Sequence, residues 1–393
     1  HLGLCGGELR GLAPERVERI FDCLERLQPH KVGYLWLQAY ETHYRDELLH
    51  ALVRNHGRNT LYGERPSSQL VFCMDDREEG IRRHLEEIDP TVETLGAAAH
   101  FNVFNYWRGL DDEQPVALCP VVALPSHEIR ERPQAGQEAL KSRHDGRRRL
   151  RLRLSSLLHQ EIRRNLLRST LLLAVTAPGF LLALLGKAFA PLAFGRMGER
   201  LRRRFDLPVA TDIALCAKES DTEPTPEAPR LGYTDQEQLE RGEAFLRNIG
   251  LVDRFAPILV IMAHGSSSEN NPHLAAYDCG ACSGRHSGPN ARILAALLNR
   301  PEIRERLAER GISIPDDSWF LGAERNTCNE QIEWYDLDKM PEGFRDDHQA
   351  LCHNLDQASL RHARERCRRL ASAPQGANER RALDHVVGRS YDF

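Results

Sequence analysis

Two short apolar runs in this chain end in residues able to hold a metal. Residues 69–77 read Gln-Leu-Val-Phe-Cys-Met-Asp-Asp-Arg, so the run from Leu70 to Phe72 breaks abruptly into Cys73, Asp75 and Arg77. Residues 256–263 (Ala-Pro-Ile-Leu-Val-Ile-Met-Ala) end likewise in His264-Gly265-Ser266, and Cys279 follows in Asp278-Cys279-Gly280-Ala281-Cys282-Ser283-Gly284. Runs of this kind predict buried strands, and open α/β sheets bind ligands where strands end. Cys73, Asp75, His264 and Cys279 together offer two sulfurs, one oxygen and one nitrogen, a tetrahedral zinc shell. Zinc held this way lowers the pKa of bound water towards neutrality and makes it a nucleophile for a small electrophile such as CO₂.

Asp75 is open to two roles. It closes the shell as fourth ligand, or it pairs with Arg77, whose guanidinium fork matches a carboxylate bidentately, and leaves that position to water. Cys279-x-x-Cys282 is itself a metal-type spacing, so Cys282 in place of Asp75 would give a closed, structural site. His273, Asp278 and His286 lie close by as further candidates, and Ser266-Ser267-Ser268 offers hydroxyls to orient ligands. A lone buried cysteine is ordinarily a small hydrophobe, and a near-neighbour Asp–Arg pair is ordinarily a surface contact. Two apolar runs that each end in ligand-type residues argue against coincidence.

The elements that must position these residues follow from periodicity. Residues 14–27, 36–53, 78–87, 234–246 (with Thr234 as N-cap), 291–298, 301–310 and about 347–370 have helical spacing. Residues 70–73, 92–99, 116–124 and 317–321 read as strands. The alternation predicts an α/β fold with a parallel or mixed sheet flanked by helices. Five segments are expected: a helical start (1–60), a first half of the α/β core (61–140), a basic and apolar helical insertion with linker (141–230), a second half of the core (231–345) and a helical end (346–393).

At 393 residues the chain has ample length for a core, and 41% hydrophobic with 28% charged residues is ordinary for a globular protein. A net charge of −4 argues against nucleic acid as a partner. Ten cysteines without regular spacing, and no secretory leader, predict a reducing compartment. The start at His1, without Met, suggests a piece of a longer protein. The charge is uneven: residues 141–168 hold ten basic residues against two acidic ones, and 169–186 hold none of either sign. Basic residues resume at Lys187, Arg196, Arg200, Arg202, Arg203 and Arg204. Pro178-Gly179 interrupts the apolar stretch. Two buried helices with a turn there are the leading expectation; an interface for a membrane-embedded partner or the lipid surface, and a transmembrane helix, are the others.

Phe72-Cys73-Met74-Asp75-Asp76-Arg77-Glu78-Glu79, Arg82-Arg83-His84-Leu85-Glu86, Glu93-Thr94-Leu95-Gly96-Ala97-Ala98, His264-Gly265-Ser266, Asn271-Pro272-His273 and Asp278-Cys279-Gly280-Ala281-Cys282 together resemble the DabA family, as does Trp36…Ala39-Tyr40-Glu41. That family is the large soluble subunit of two-component inorganic-carbon transporters of bacteria. The resemblance implies a β-carbonic-anhydrase-like core with zinc on Cys73, Asp75, His264 and Cys279, and Arg77 paired to Asp75. It implies conversion of CO₂ to bicarbonate through a zinc-bound hydroxide. It also implies a membrane-embedded, ion-channel-like partner of DabB type, with this subunit peripheral on the cytoplasmic face of the inner membrane. Members of the family continue beyond residues 389–393. A free-standing soluble β-type carbonic anhydrase and a structural zinc scaffold are the competing readings.

Overall fold

The computed structural model of the chain describes residues 10–26, 28–56, 64–164, 166–218, 223–267 and 278–392. The chain divides into two units, His1–Glu64 and Arg65–Phe393. The first carries helices α1 (Pro14–Arg26) and α2 (Pro29–Asn55), and α2 opens on a proline, whose missing N–H costs nothing at a helix start.

In the second unit the elements run β1 (Ser68–Cys73), α3 (Asp76–Ile88), β2 (Val92–Ala97), β3 (Asn105–Arg108), β4 (Val116–Leu118) and β5 (His127–Pro133). Three helices follow, α4 (Glu138–Arg164), α5 (Leu166–Phe189) and α6 (Pro191–Phe205). Then come β6 (Thr211–Ile213), β7 (Arg230–Leu231), α7 (Asp235–Asn248), β8 (Ile258–Gly265), α8 (Gly288–Leu298) and α9 (Pro301–Glu309). The unit ends in β9 (Trp319–Asn326), β10 (Ile332–Trp334), α10 (Arg345–Arg368) and α11 (Glu379–Asp392).

Both apolar runs become central strands of one sheet, ordered β10-β9-β8-β1-β2. β2, β1, β8 and β9 are parallel and β10 is antiparallel at the edge. Every residue of β1 and β8 is buried, which explains why these strands are continuous apolar runs rather than alternating ones. Leu70, Phe72, Val260 and Met262 pack with Ile81 and Leu85 of α3 and Leu351 and Leu355 of α10. Val71, Cys73, Leu259 and Ile261 face the opposite way, into a core shared with α8. Truncating a side chain as fully buried as Phe72 would cost about 3–5 kcal/mol. A second sheet, β4-β3-β5-β6 with β7 against β5, completes the mixed α/β architecture.

Helix ends match their sequence signals. Asp75 caps α3, and Asp76, Glu78 and Glu79 fill its first turn, where negative charge is favoured. Thr234 caps α7 in a reciprocal capping box with Glu237.

Two expectations need correction. Residues 169–186 are not two buried helices with a turn at Pro178-Gly179. They lie in α5, a continuous helix with Pro178 inside it and most of its surface exposed. The proline forfeits one backbone bond, which a helix survives when the turns on either side are intact; nearby, Thr176 Oγ1 donates to the Leu172 carbonyl at 2.7 Å. The expected strand over 116–124 ends at Leu118, and it belongs to the second sheet. Pro120 cannot donate to a ladder, and the chain turns there, with the Ala123 N–H bonded to the Pro120 carbonyl.

Candidate metal centre

β1 and β8 are hydrogen-bonded neighbours, with Phe72 opposite Met262, so their carboxyl ends emerge side by side. β2 lies on one flank of β1 and β8 on the other, which makes this a point where the strand order reverses and a crevice opens. Cys73 is the last residue of β1 and His264 the penultimate residue of β8. Cys279 opens the short 3-10 turn Gly280–Cys282. The Cys73 and Cys279 sulfurs are 4.0 Å apart, and one ligand atom from each of Cys73, His264 and Cys279 lies within 4.8 Å of the others. All three residues are buried.

Neither ring nitrogen of His264 has a hydrogen-bond partner, although both are buried. An orphaned buried polar atom costs about 1–3 kcal/mol, and native structures leave few of them. A histidine ligates through one ring nitrogen, and a buried imidazole without hydrogen bonds beside two thiols offers the N/S donor set of a borderline-soft cation, so the residues fit zinc. Ser287 secures the backbone beneath, accepting from the His264 N–H at 2.9 Å and donating to its carbonyl at 2.8 Å.

Asp75 is turned to Arg77. It accepts from Arg77 Nε and Nη2, both at 2.7 Å, and from the Arg77 backbone N–H at 3.0 Å. These bonds hold its carboxyl down to about 2. Its Oδ2 remains 3.7 Å from His264 Nε2. Of the two roles open to Asp75, this geometry displays the pairing with Arg77. Arg77 Nη2 also donates to the Asp278 carbonyl at 3.0 Å. Cys282 is buried beside the cluster, with Asn290 Nδ2 at 3.7 Å from its sulfur, but it is not in the three-residue set. Hydrogen bonds from Cys282 and Cys73 draw the Cys279 thiol far below the ordinary range. Bonding to Cys279 pushes the Cys73 and Cys282 thiols up.

Behind Arg77 lies a buried ionic layer that strand-end reasoning did not identify. Arg325 is fully buried and donates to Glu78 Oε1 at 2.9 Å, to Glu330 Oε2 at 2.5 Å and to the Arg77 carbonyl at 3.3 Å. Glu330 also receives Arg366 at 2.5 Å. Burial pushes the Glu78 carboxyl up, and its Oε2 has no partner. The available signal was Glu324-Arg325-Asn326, a polar run ending a third apolar strand.

Of the further candidates, Asp278 accepts from the Ser266 N–H and Oγ at 2.8 Å, His286 pairs with Glu324 at 2.6 Å, and Ser267 Oγ accepts from Asn326 at 2.7 Å. His273 and Ser268 lie outside the described residues. A second cluster, Asp111, His144 and Asp145, is threaded by Lys141 and Arg148, so it is an ion-pair network already neutralised by its own cations.

A family model described as "Probable inorganic carbon transporter subunit DabA" matches residues 12–393. A curated relative of the same description from Methylococcus capsulatus is 52% identical over 100% of this chain and 37% of its own length. One from Dechloromonas aromatica is 49% identical over 100% of this chain and 38% of its own. One from Nitrosococcus oceani is 48% identical over 100% of this chain and 35% of its own. The chain thus spans between a third and two-fifths of the length of these relatives. No solved structure matches it. With nearly the whole chain covered by the family model and by these relatives, the chain belongs to the DabA family.

Proposed function

We propose that this chain is the zinc-binding part of an inorganic-carbon transporter subunit, and that it converts CO₂ to bicarbonate in association with a membrane-embedded, ion-conducting partner. The observation that carries this is His264, buried beside two thiols with neither ring nitrogen hydrogen-bonded. Cys73, His264 and Cys279 would hold the zinc, and the core around them would be β-carbonic-anhydrase-like. Bound zinc supplies an acidified water as nucleophile for CO₂. The chain's own residues decide when that chemistry is open. Paired with Arg77, Asp75 would stay off the metal, and turned towards His264 it would be a further ligand. The distance left to travel is small, since Asp75 Oδ2 is already 3.7 Å from His264 Nε2. The apolar strand ends around Cys73 and Ala263 suit a small uncharged substrate, and the Arg77 guanidinium suits an anionic product.

Coupling to an ion gradient would act on this exchange of Asp75, so the chain by itself would be a latent enzyme. Peripheral attachment to the cytoplasmic face of the inner membrane is supported by α5, an exposed 23-residue apolar segment at Leu167–Phe189 flanked by basic helices. A free-standing soluble carbonic anhydrase needs no such surface. The test is zinc content and CO₂ hydration on the same preparations, for the chain alone and for the full-length protein with its membrane partner. Stoichiometric zinc with activity only in the complex is expected. Absence of zinc from both would sink the proposal, and full activity of the chain alone would replace it with the free-standing enzyme.

A further inference from the structure

Three side chains that the proposed chemistry does not use join the metal centre to a cleft of about 1220 Å³ lined in part by His286 and Glu324. His286 Nδ1 is 2.6 Å from Glu324 Oε1, and its Nε2 is 3.6 Å from Asp278 Oδ1. Glu324 is fixed in turn, because its other oxygen accepts from the Gly288 N–H at 2.7 Å. Asp278 ties the loop of Cys279 to the strand of His264 through Ser266, and its carbonyl takes a hydrogen bond from Arg77.

The backbone is shaped around this pair. A Cβ on Gly265 would stand 2.2 Å from His286 Nδ1 and 2.6 Å from Glu324 Oε1. One on Gly288 would stand 2.4 Å from Glu324 Oε2 and 2.2 Å from the Tyr335 hydroxyl. Glycine at both positions admits a carboxylate and an imidazole where any other residue would expel them. Such closely packed supports keep a functional group within the narrow range of positions its chemistry tolerates.

We infer that His286, held by Glu324, is a positioning residue for the Asp75–Arg77 pair. The inference rests on the proposed exchange of Asp75 between metal and Arg77. His286 faces the Asp278 carboxylate at ion-pair distance, 3.6 Å, and the Asp278 carbonyl accepts from Arg77 Nη2 and keeps the guanidinium fork towards Asp75. Without the imidazole, Asp278 would keep its two bonds from Ser266 but lose this ion-pair partner, its carbonyl would hold Arg77 less firmly, and Asp75 would be displaced towards the metal position. The pair sets how much of the protein is in the open form. It touches neither substrate nor metal.

Cobalt(II) in place of zinc makes this visible, because its absorption spectrum in the visible range reports the ligands around it. The protein is the full-length subunit with its membrane partner, as wild type, His286→Ala, Glu324→Gln, Asp75→Asn and the double variant His286→Ala/Asp75→Asn. The expected result is one cobalt per subunit throughout. His286→Ala and Glu324→Gln should share a spectral change, and CO₂ hydration should fall about tenfold in kcat with KM nearly unchanged. The double variant should have the spectrum of Asp75→Asn alone. An unchanged spectrum in His286→Ala, the same change persisting in the double variant, or loss of cobalt from both single variants would overturn the inference. Failure of the wild type to bind cobalt would instead overturn the metal site on which it rests.

Discussion

Asp75 and Arg77 meet through both carboxylate oxygens at 2.7 Å although they are two residues apart in sequence. The same carboxylate caps α3 by accepting the Arg77 backbone N–H. Cap and ion pair thus draw Asp75 the same way, and the guanidinium is itself held by Asp278. Arg77→Lys keeps the charge but loses the fork. We expect zinc to be retained and CO₂ hydration by the complex to fall about 100-fold, the scale of a roughly 1 Å misplacement. Near-wild-type activity in Arg77→Lys would show that a point charge suffices.

Zinc removal should be legible in stability. A cation that binds only the folded chain adds about 2.7 kcal/mol when its free concentration is 100 times its Kd. Titrating zinc into metal-free protein should raise Tm progressively, and His264→Ala should abolish the rise. Cys282→Ser should preserve it, because the ligand atoms of Cys73, His264 and Cys279 converge without the Cys282 sulfur. Loss of the rise in Cys282→Ser would restore the closed, structural reading of the site.

Arg325 is fully buried between Glu78 and Glu330. Removing one partner from a buried charge network leaves uncompensated charge, at about 3–5 kcal/mol. Arg325→Leu should therefore show that loss in denaturant unfolding. The double variant Arg325→Leu/Glu330→Leu should recover part of it, since fewer carboxylates are left bare. A single variant as stable as wild type would mean that water reaches the layer.

The meeting of Cys73, His264 and Cys279 was more legible in the sequence than the elements around them. Cys73, Asp75 and His264 stand where apolar runs stop, and a strand's end is set by local composition. Cys279 was legible only through its neighbours Asp278, Gly280 and Cys282, because nothing local says which strand its loop returns to. The role of Asp75 stayed open because its alternatives differ by a side-chain rotation, which spacing does not encode. Pro178-Gly179 was misread because a helix breaker is judged by its cost, and α5 bears that cost. Burial misled there as well: apolar composition says that water is disfavoured without saying what replaces it. Arg325 escaped notice because a charged residue in a strand reads as an edge or an exit, while here Glu330, five residues on, and Glu78, from a distant helix, neutralise it.

α5 leaves Leu171, Val175, Leu182 and Leu184 exposed, beside the basic residues of α4 and α6. Each basic residue near an anionic membrane surface contributes about 1 kcal/mol. The protein should float with phosphatidylglycerol vesicles at low salt and not with phosphatidylcholine vesicles. Leu171→Glu/Leu182→Glu should weaken flotation without changing Tm, because both side chains face outward. Equal binding to neutral vesicles would remove the electrostatic part of the argument, and no binding to either would leave α5 to a protein partner.

His286 gives the pH dependence a definite sign. Its hydrogen bond to Glu324 is the largest influence on it and raises its pKa from the usual 6.5 to about 9, against the opposing effect of burial. Glu324, Asp278 and Glu333 are the acidic groups that act on it. The folded protein holds this proton more tightly than the unfolded chain. The stabilisation is therefore complete below about pH 6.5 and is lost as pH rises through about 9. The ring is half-exposed, so solvent screens the pair and the trend with pH, more than the size of the effect, is diagnostic. Tm of the wild type should fall more steeply between about pH 7 and pH 10 than that of His286→Gln, whose neutral amide neither gains nor loses a proton there. Parallel curves would mean that the imidazole is already neutral in the folded protein, and the Glu324–His286 contact would then be an ordinary hydrogen bond rather than an ion pair.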